Sequence, residues 1–181
     1  MPVAFTTNSA SIVPLSVTTP VTRPRAEVWE SSHLGGHRFA PTAALLPHGM
    51  VLGGLGPQPE PLVEAVEALL DGRPALEGYR GRSTYRPAEQ AAETAVRRHL
   101  AVLGVNAWAD DVRVDGSEAL DDHGARRVFV RHSGGRTFRV VVEQVETGSS
   151  RPASCGAAPT PVLVWETEVD ADPAPGIYVG A

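Results

Sequence analysis

The sequence contains no lysine, a single cysteine and no long uninterrupted apolar run. All 16 basic residues are arginine and the formal net charge is −5, so a basic surface for nucleic acid is not expected. The lone thiol, Cys155, excludes a disulfide within the chain. No apolar run reaches the roughly 18 residues of a membrane span, and the N-terminus lacks the basic and apolar regions of a secretory signal. We therefore expect a cytoplasmic protein that binds neither nucleic acid nor membrane.

Aromatic residues are also scarce, at 6% of the chain, although hydrophobic residues reach 42%. A core is therefore expected to consist mainly of valine, leucine and alanine. Glycine and proline number 18 and 16. This content predicts many turns and moderate helix, but it stays below that of low-complexity chains. The length of 181 residues suits one ordinary domain, or a small domain with an appendage.

The apolar pattern predicts a hairpin followed by two helices. Residues 42–55 form two apolar runs around a Pro-His-Gly turn, which predicts a hairpin buried on both faces. Proline openings, glycine ends and helical spacing predict helices at 61–71 and 87–103, joined by a connector at 73–86. The inward face of the second helix is predicted to consist of Ala88, Ala91, Ala92, Ala95, Val96, His99, Leu100 and Leu103.

Beyond residue 105 the composition favours strands. They are predicted at 112–116, 126–146 and 161–169, with a glycine turn at 132–136 and a long loop at 147–161. We therefore predict an α/β fold in three parts: an irregular segment at 1–26, a hairpin-and-helix unit at 27–104, and an antiparallel β-rich extension at 105–181 that ends in a flexible tail. Three prolines between residues 14 and 24 argue against a long strand in the first part.

Two histidines, His33 and His37, flank a Leu-Gly-Gly sequence. In a helix this spacing would put both rings on one face, but each glycine would cost a helix about 1 kcal/mol. A tight turn would also bring the rings together, and neutral imidazole is a good ligand for zinc, iron or copper. The alternative is a backbone turn that requires glycine and carries two surface histidines. The residues alone leave both interpretations open.

The surrounding stretch, VWESSHLGGHRFAPTAALLPHGMVLGGL, resembles the core of the sucrase/ferredoxin-like family. The resemblance continues through LEGYRGRSTYRPAEQAAETAVRRHL and returns at RPASCG, so it covers residues 26–164 in order. Members of that family are thioredoxin-like ferredoxins. The resemblance implies that 27–104 is the C-terminal half of a thioredoxin-like domain. It also implies one-electron transfer through a [2Fe–2S] cluster held by two cysteines and two histidines, which here are His33 and His37. As in Rieske centres, imidazole ligands raise the reduction potential.

The chain departs from this pattern in its cysteines. The family's two ligand cysteines precede the histidine motif, whereas none of the 32 residues before His33 is cysteine. Two histidines and Cys155 cannot make a set of two cysteines and two histidines. Three alternatives stay open: a cofactor-free relic or interaction domain, a mononuclear metal at the histidines with outside ligands, or a site completed by a second chain or a redox partner protein.

Hydrolysis of a glycoside, which the family name suggests, is not expected. That chemistry needs two carboxylates about 5–10 Å apart across the sugar, and the acidic residues show no spacing of that kind. The pairs Asp110–Asp111 and Asp121–Asp122 are predicted to be solvated loop residues. Arg80 and Arg82 could bind an anion, but arginines that cover apolar surface in a loop are favoured. The expected protein is an electron carrier or a non-catalytic domain.

Overall fold

The computed structural model of the protein describes residues 2–6, 27–30, 39–152 and 158–171, the first two ranges by their backbone alone. Helices and strands are mixed, and the later part is rich in strands, as the sequence predicted. The elements in chain order are β1 (Pro2–Thr6), β2 (Glu27–Glu30), β3 (Thr42–Leu45), β4 (Met50–Gly53), α1 (Glu60–Leu70), β5 (Tyr79–Arg82), α2 (Pro87–Val102), β6 (Val112–Ala119), β7 (Arg126–His132), β8 (Thr137–Pro152) and β9 (Pro159–Ala171).

The chain divides into two compact units. The first unit comprises Met1–Thr84 and Ser150–Pro161, and the second comprises Tyr85–Ser149 and Val162–Ala181. The sequence placed a boundary at 104/105, which would leave α2 with the first part. In the structure α2 belongs to the second unit, because its apolar face packs on β6 and β7. The strands β8 and β9 contribute residues to both units.

The first unit contains a five-stranded sheet in the order β2-β1-β3-β4-β5. β1 lies parallel to β2 and antiparallel to β3, so each side of β1 is paired. This strand lies within the segment 1–26, which the sequence predicted to be mostly irregular. Pro2 is compatible with it because proline is tolerated at the first residue of a strand. Residues 7–26 join β1 to β2, a connection longer than the dozen or so residues that a parallel pair requires.

The predicted hairpin is confirmed as β3 and β4, which pair antiparallel around a turn at 46–49. Thr42 and Ala43 are neighbours in β3 and both are buried. Because successive side chains of a strand point to opposite faces, both faces of the sheet are covered there. The peptide bonds Ala40–Pro41 and Leu46–Pro47 are cis.

The predicted helix at 61–71 is confirmed as α1, with Ala65 and Leu69 buried and Glu64 exposed. The connector at 73–86 is wrong in part, because it contains β5. The sequence Tyr-Arg-Gly-Arg carries little strand preference of its own. Its strand conformation follows from pairing with β4 and from the burial of Tyr79, which is 2% exposed.

The second unit packs α2 against a four-stranded antiparallel meander in the order β6-β7-β8-β9. Small residues of α2 face a valine-rich sheet surface, as the sequence predicted. Leu103 does not belong to this face and is 55% exposed, since the helix ends at Val102. The core consists of Ala88, Ala92, Val96, Leu100, Val112, Val128, Val130, Phe138, Val140 and Val142.

The long loop predicted at 147–161 is shorter in the structure. β8 continues to Pro152 and β9 starts at Pro159, so most of the expected loop is a polar strand pair. Side chains support the pairing: the Thr147 hydroxyl donates to the Val162 carbonyl at 3.1 Å, and the Thr160 hydroxyl to the Arg151 carbonyl at 3.5 Å. The expected flexible tail after Ala171 lies outside the described residues. Within the described ranges no helix is long and apolar enough to span a membrane.

Candidate functional site

The predicted ligands His33 and His37 lie in the segment 31–38, outside the described residues, as does Cys155. The structure therefore defines the frame that holds this segment at its two ends. One end is Glu30, the last residue of β2, and the other is Phe39, shortly before β3.

Both ends of the histidine segment attach at the same end of β1. Phe5 of β1 is in register with Glu30 of β2, and Thr6 is in register with Thr42 of β3. Because neighbouring strands lie about 4.8 Å apart, the end of β2 and the start of β3 flank β1 at a separation of about 10 Å. The segment with the histidines thus starts and ends at the carboxyl end of β1.

Three features hold Phe39, the residue that follows the histidine segment, against β4 and β5. Its carbonyl accepts a hydrogen bond from the Gly54 amide at 2.7 Å. Its Cβ lies 2.9 Å from the place where a Cβ on Gly53 would be, so only glycine fits at that position of β4. The Arg80 guanidinium lies 3.4 Å from the centroid of its ring, within the range of a cation–π contact. A residue two positions after His37 is therefore held by β4 and β5.

The contact between Phe39 and Arg80 joins two stretches that are far apart in the sequence. Phe39 belongs to the His-Arg-Phe-Ala sequence and Arg80 to the Tyr-Arg-Gly-Arg sequence of β5. Arg80 lies in a strand and not in the loop that the sequence predicted, and it is the guanidinium of Arg80 that packs on the aromatic ring. The sequence alone gave no signal for the contact between Phe39 and Arg80, because neither residue is unusual by itself. Just after β5, the amide of Ser83 donates a hydrogen bond to the Gly49 carbonyl at 2.7 Å.

The donor set of a single chain does not fit a [2Fe–2S] cluster with two cysteines and two histidines. The sequence provides one thiol, so one chain supplies at most three of the four protein ligands. A cluster of that type would need at least one further thiolate from outside the chain.

Two of the histidines in the described part, His99 and His132, have contacts that serve the fold. The ring of His99 packs edge-on against Phe138 at 6.0 Å between centroids. In the turn between β7 and β8, Nδ1 of His132 accepts a hydrogen bond from the Gly134 amide at 3.0 Å. Among the described residues no group of three or more histidine, cysteine, aspartate or glutamate side chains is arranged to hold a metal ion.

The aspartate pairs are loop residues, as predicted. A carboxylate oxygen of Asp121 accepts hydrogen bonds from the amides of His123 and Ala125, both at 2.9 Å. Asp111 accepts one from the Ser133 hydroxyl at 2.6 Å and one from the Trp108 amide at 2.8 Å. The bonds to backbone amides close local turns, whereas the bond from Ser133 joins the loop before β6 to the turn between β7 and β8.

The sequence did not predict that an ion pair inside α2 would be buried. Glu93 is 0% exposed and Arg97 is 2% exposed, although both are charged residues of a surface helix. Arg97 donates to the Glu93 carboxylate at 3.1 Å and to the carbonyls of Trp108 and Ala109 at 3.2 and 2.7 Å. The i,i+4 spacing of opposite charges was the available signal, but it does not distinguish an exposed pair from a buried one.

Comparison with known proteins gives no relative from which to transfer a function: no family model, curated protein or solved structure matches the chain.

Proposed function

We propose that this protein is an electron-transfer protein of the sucrase/ferredoxin-like type. In this proposal His33 and His37 are the histidine half of a [2Fe–2S] ligand set, and a second polypeptide supplies the missing thiolates. The observation that carries the proposal is the frame of the histidine segment. Both of its ends attach at the carboxyl end of β1, and Phe39 is held by β4 and β5. Fixed ends favour ligand binding by a loop, because fewer residues then lose conformational freedom when the ligand binds.

The sheet of the first unit supports a thioredoxin-like assignment. Such a domain starts with two parallel strands joined by a helical connection, and β1 and β2 are a parallel pair. The antiparallel strands β3 and β4 follow, and α1 comes after them. The proposal thus extends the thioredoxin-like part to the beginning of the described chain and removes α2 from it.

The test is reconstitution with an external thiol in place of the missing thiolates. The purified chain is incubated under argon with ferrous iron, sulfide and 2-mercaptoethanol, then desalted and analysed for iron, sulfide and visible absorption. We expect iron and sulfide in equal amounts with the wild-type chain, and a large loss with His33→Ala or His37→Ala. His123→Ala is the matched control, since His123 lies in an exposed loop of the second unit. Equal retention by all four proteins would contradict the proposal.

A cofactor-free interaction domain is the second candidate, and the thiol count favours it. A chain with one cysteine lacks the thiolates that the family's cluster needs, so the histidines could remain as parts of a glycine turn. Under this alternative, the reconstituted wild-type chain carries no more iron than the two histidine variants.

A further inference from the structure

The sheet of the second unit carries a groove on the face opposite α2. Side chains alternate along its strands: Val128 and Val130 of β7 are buried in the core, while Phe129 between them points to the other face. The groove has a volume of about 520 Å³, within the usual range of ligand sites. We call it the outer-face groove, and its lining residues are Arg127, Phe129, Arg139, Val141, Glu168 and Asp170.

The floor of the outer-face groove is apolar and partly open. Phe129 is 37% exposed, and its direct neighbours across the sheet are Gly116 on β6 and Arg139 on β8. Gly116 has no side chain, and nothing lies within 4 Å of the place where its Cβ would be. The residue opposite Phe129 on β6 therefore places no side chain over the Phe129 ring. Val141, opposite Arg127, extends the apolar floor.

The charged side chains of the groove and their ion-pair partners include one more carboxylate than guanidinium. Arg127 is paired with Glu118 at 2.7 Å, and Arg139 is paired with Asp170 at 3.2 Å. Within each pair the positive and negative charges cancel. The side chain of Glu168 makes no hydrogen bond or ion pair with any residue in the described part of the chain, although it lies in the wall. The groove thus combines an exposed aromatic ring with one uncompensated negative charge.

We propose that the outer-face groove is a docking site for a basic segment of a partner protein, which inserts an arginine or lysine side chain. The cationic head would lie at Glu168 and over the exposed face of the Phe129 ring, and the aliphatic stem would lie over Val141. The net charge of −5 favours the same partner, because an acidic protein attracts a basic surface over a longer range. The inference is independent of the proposed function, since it uses no residue of the first unit.

The test uses the ¹⁵N-labelled full chain and an acetylated heptapeptide in which serine and arginine alternate. The matched probe replaces each arginine by citrulline, which keeps the shape and removes the charge. We expect the arginine peptide to shift the amide resonances of Phe129, Val141 and Glu168, and the citrulline peptide to shift none of them. Binding should weaken as salt is raised, because the attraction is partly electrostatic.

Two variants distinguish binding of the peptide at the groove from nonspecific electrostatic attraction to an acidic protein. Glu168→Gln and Glu64→Gln remove the same charge, but Glu64 is an exposed residue of α1. We expect Glu168→Gln to weaken binding about fivefold and Glu64→Gln to change it less than twofold. Phe129→Leu keeps an apolar floor without the ring and should weaken binding about threefold. Equal effects of the two glutamate variants, or shifts that avoid the groove, would overturn the proposal.

Discussion

At the scale of single residues, the ion pair of Glu93 and Arg97 connects α2 to the loop before β6. Its three charge-assisted hydrogen bonds satisfy a buried carboxylate and two backbone carbonyls. A buried charge that loses its partner is strongly destabilising, because its desolvation is no longer compensated. Losing one partner of the pair is therefore expected to destabilise the second unit. The intact pair nevertheless adds little net stability compared with a well-packed apolar pair.

The change Arg97→Met tests this interpretation. We expect it to lower the free energy of unfolding by about 3–5 kcal/mol, since it leaves the Glu93 carboxylate buried without the arginine that balances its charge. The double change Glu93→Leu with Arg97→Met should recover at least about 1 kcal/mol of the loss, because it also removes the orphaned carboxylate. Urea unfolding followed by circular dichroism measures both. A double variant less stable than Arg97→Met would contradict this account.

Asp111 should titrate below the ordinary range. The hydrogen bond from the Ser133 hydroxyl lowers the pKa of Asp111 most, burial opposes it, and the Trp108 amide and the nearby His132 and Arg97 lower it further. A carboxyl whose folded pKa is depressed stabilises the native state above its unfolded pKa, and that stabilisation is lost as the pH falls through the folded pKa.

Ser133→Ala should therefore raise the pKa of Asp111 towards the ordinary value of an aspartate. It should also reduce the loss of stability of the native protein between neutral pH and acid, because less stabilisation remains to be lost. Carboxyl ¹³C chemical shifts measured against pH give the pKa directly. An unchanged pKa in the variant would show that the Ser133 hydroxyl is not its main cause.

Gly53 is the position at which the frame of the histidine segment permits least change. An added Cβ would lie 2.9 Å from Phe39 Cβ and 3.2 Å from the Phe39 carbonyl oxygen. We expect Gly53→Ala to destabilise the protein by about 1–3 kcal/mol through overpacking. Gly116→Ala is the matched control, since Gly116 also lies in a strand but has open space around it. That change should be neutral or stabilising by up to about 1 kcal/mol, as thermal unfolding would measure.

At the scale of elements, apolar periodicity and helix-boundary residues predicted the hairpin β3–β4 to within two residues and both helices to within one residue at each end. Their signals are local: apolar spacing, proline at the start and glycine after the end. β1 and β5 were not predictable in the same way. β5 depends on pairing with β4, and β1 on neighbours from two distant segments. The extent of β8 and β9 also depends on pairing, because their outer parts are polar and exposed.

The small residues of α2 determine how closely the helix approaches its sheet. Ala92 is 0% exposed in the core of the second unit, whereas Ala101 on the same helix is exposed. We expect Ala92→Leu to lower the free energy of unfolding by about 1–3 kcal/mol, because the added atoms have no space in a close-packed interface. Ala101→Leu should change it by less than about 0.5 kcal/mol. Similar losses in both variants, measured by urea unfolding, would contradict close packing at Ala92.

At the scale of the whole molecule, the sequence predicted an α/β fold with a β-rich later part but not its division into units. The motif His-Leu-Gly-Gly-His was recognisable because glycine and histidine at fixed spacing form a local pattern. The frame around the motif could not be recognised in the sequence, since the contact of Phe39 with Gly53 and Arg80 requires three segments of the first unit to come together. The outer-face groove was equally hidden, because its residues come from three strands.

The most direct test of the central proposal is the nitrogen ligation of a reconstituted cluster. The chain is labelled with ¹⁵N-histidine, loaded with iron and sulfide in the presence of 2-mercaptoethanol, reduced by dithionite and examined by pulsed electron paramagnetic resonance. The account predicts ¹⁵N couplings from directly bound imidazole that are lost in His33→Ala and His37→Ala and kept in His123→Ala. A cluster without ¹⁵N-histidine couplings, or a wild-type chain that acquires no cluster, would contradict it.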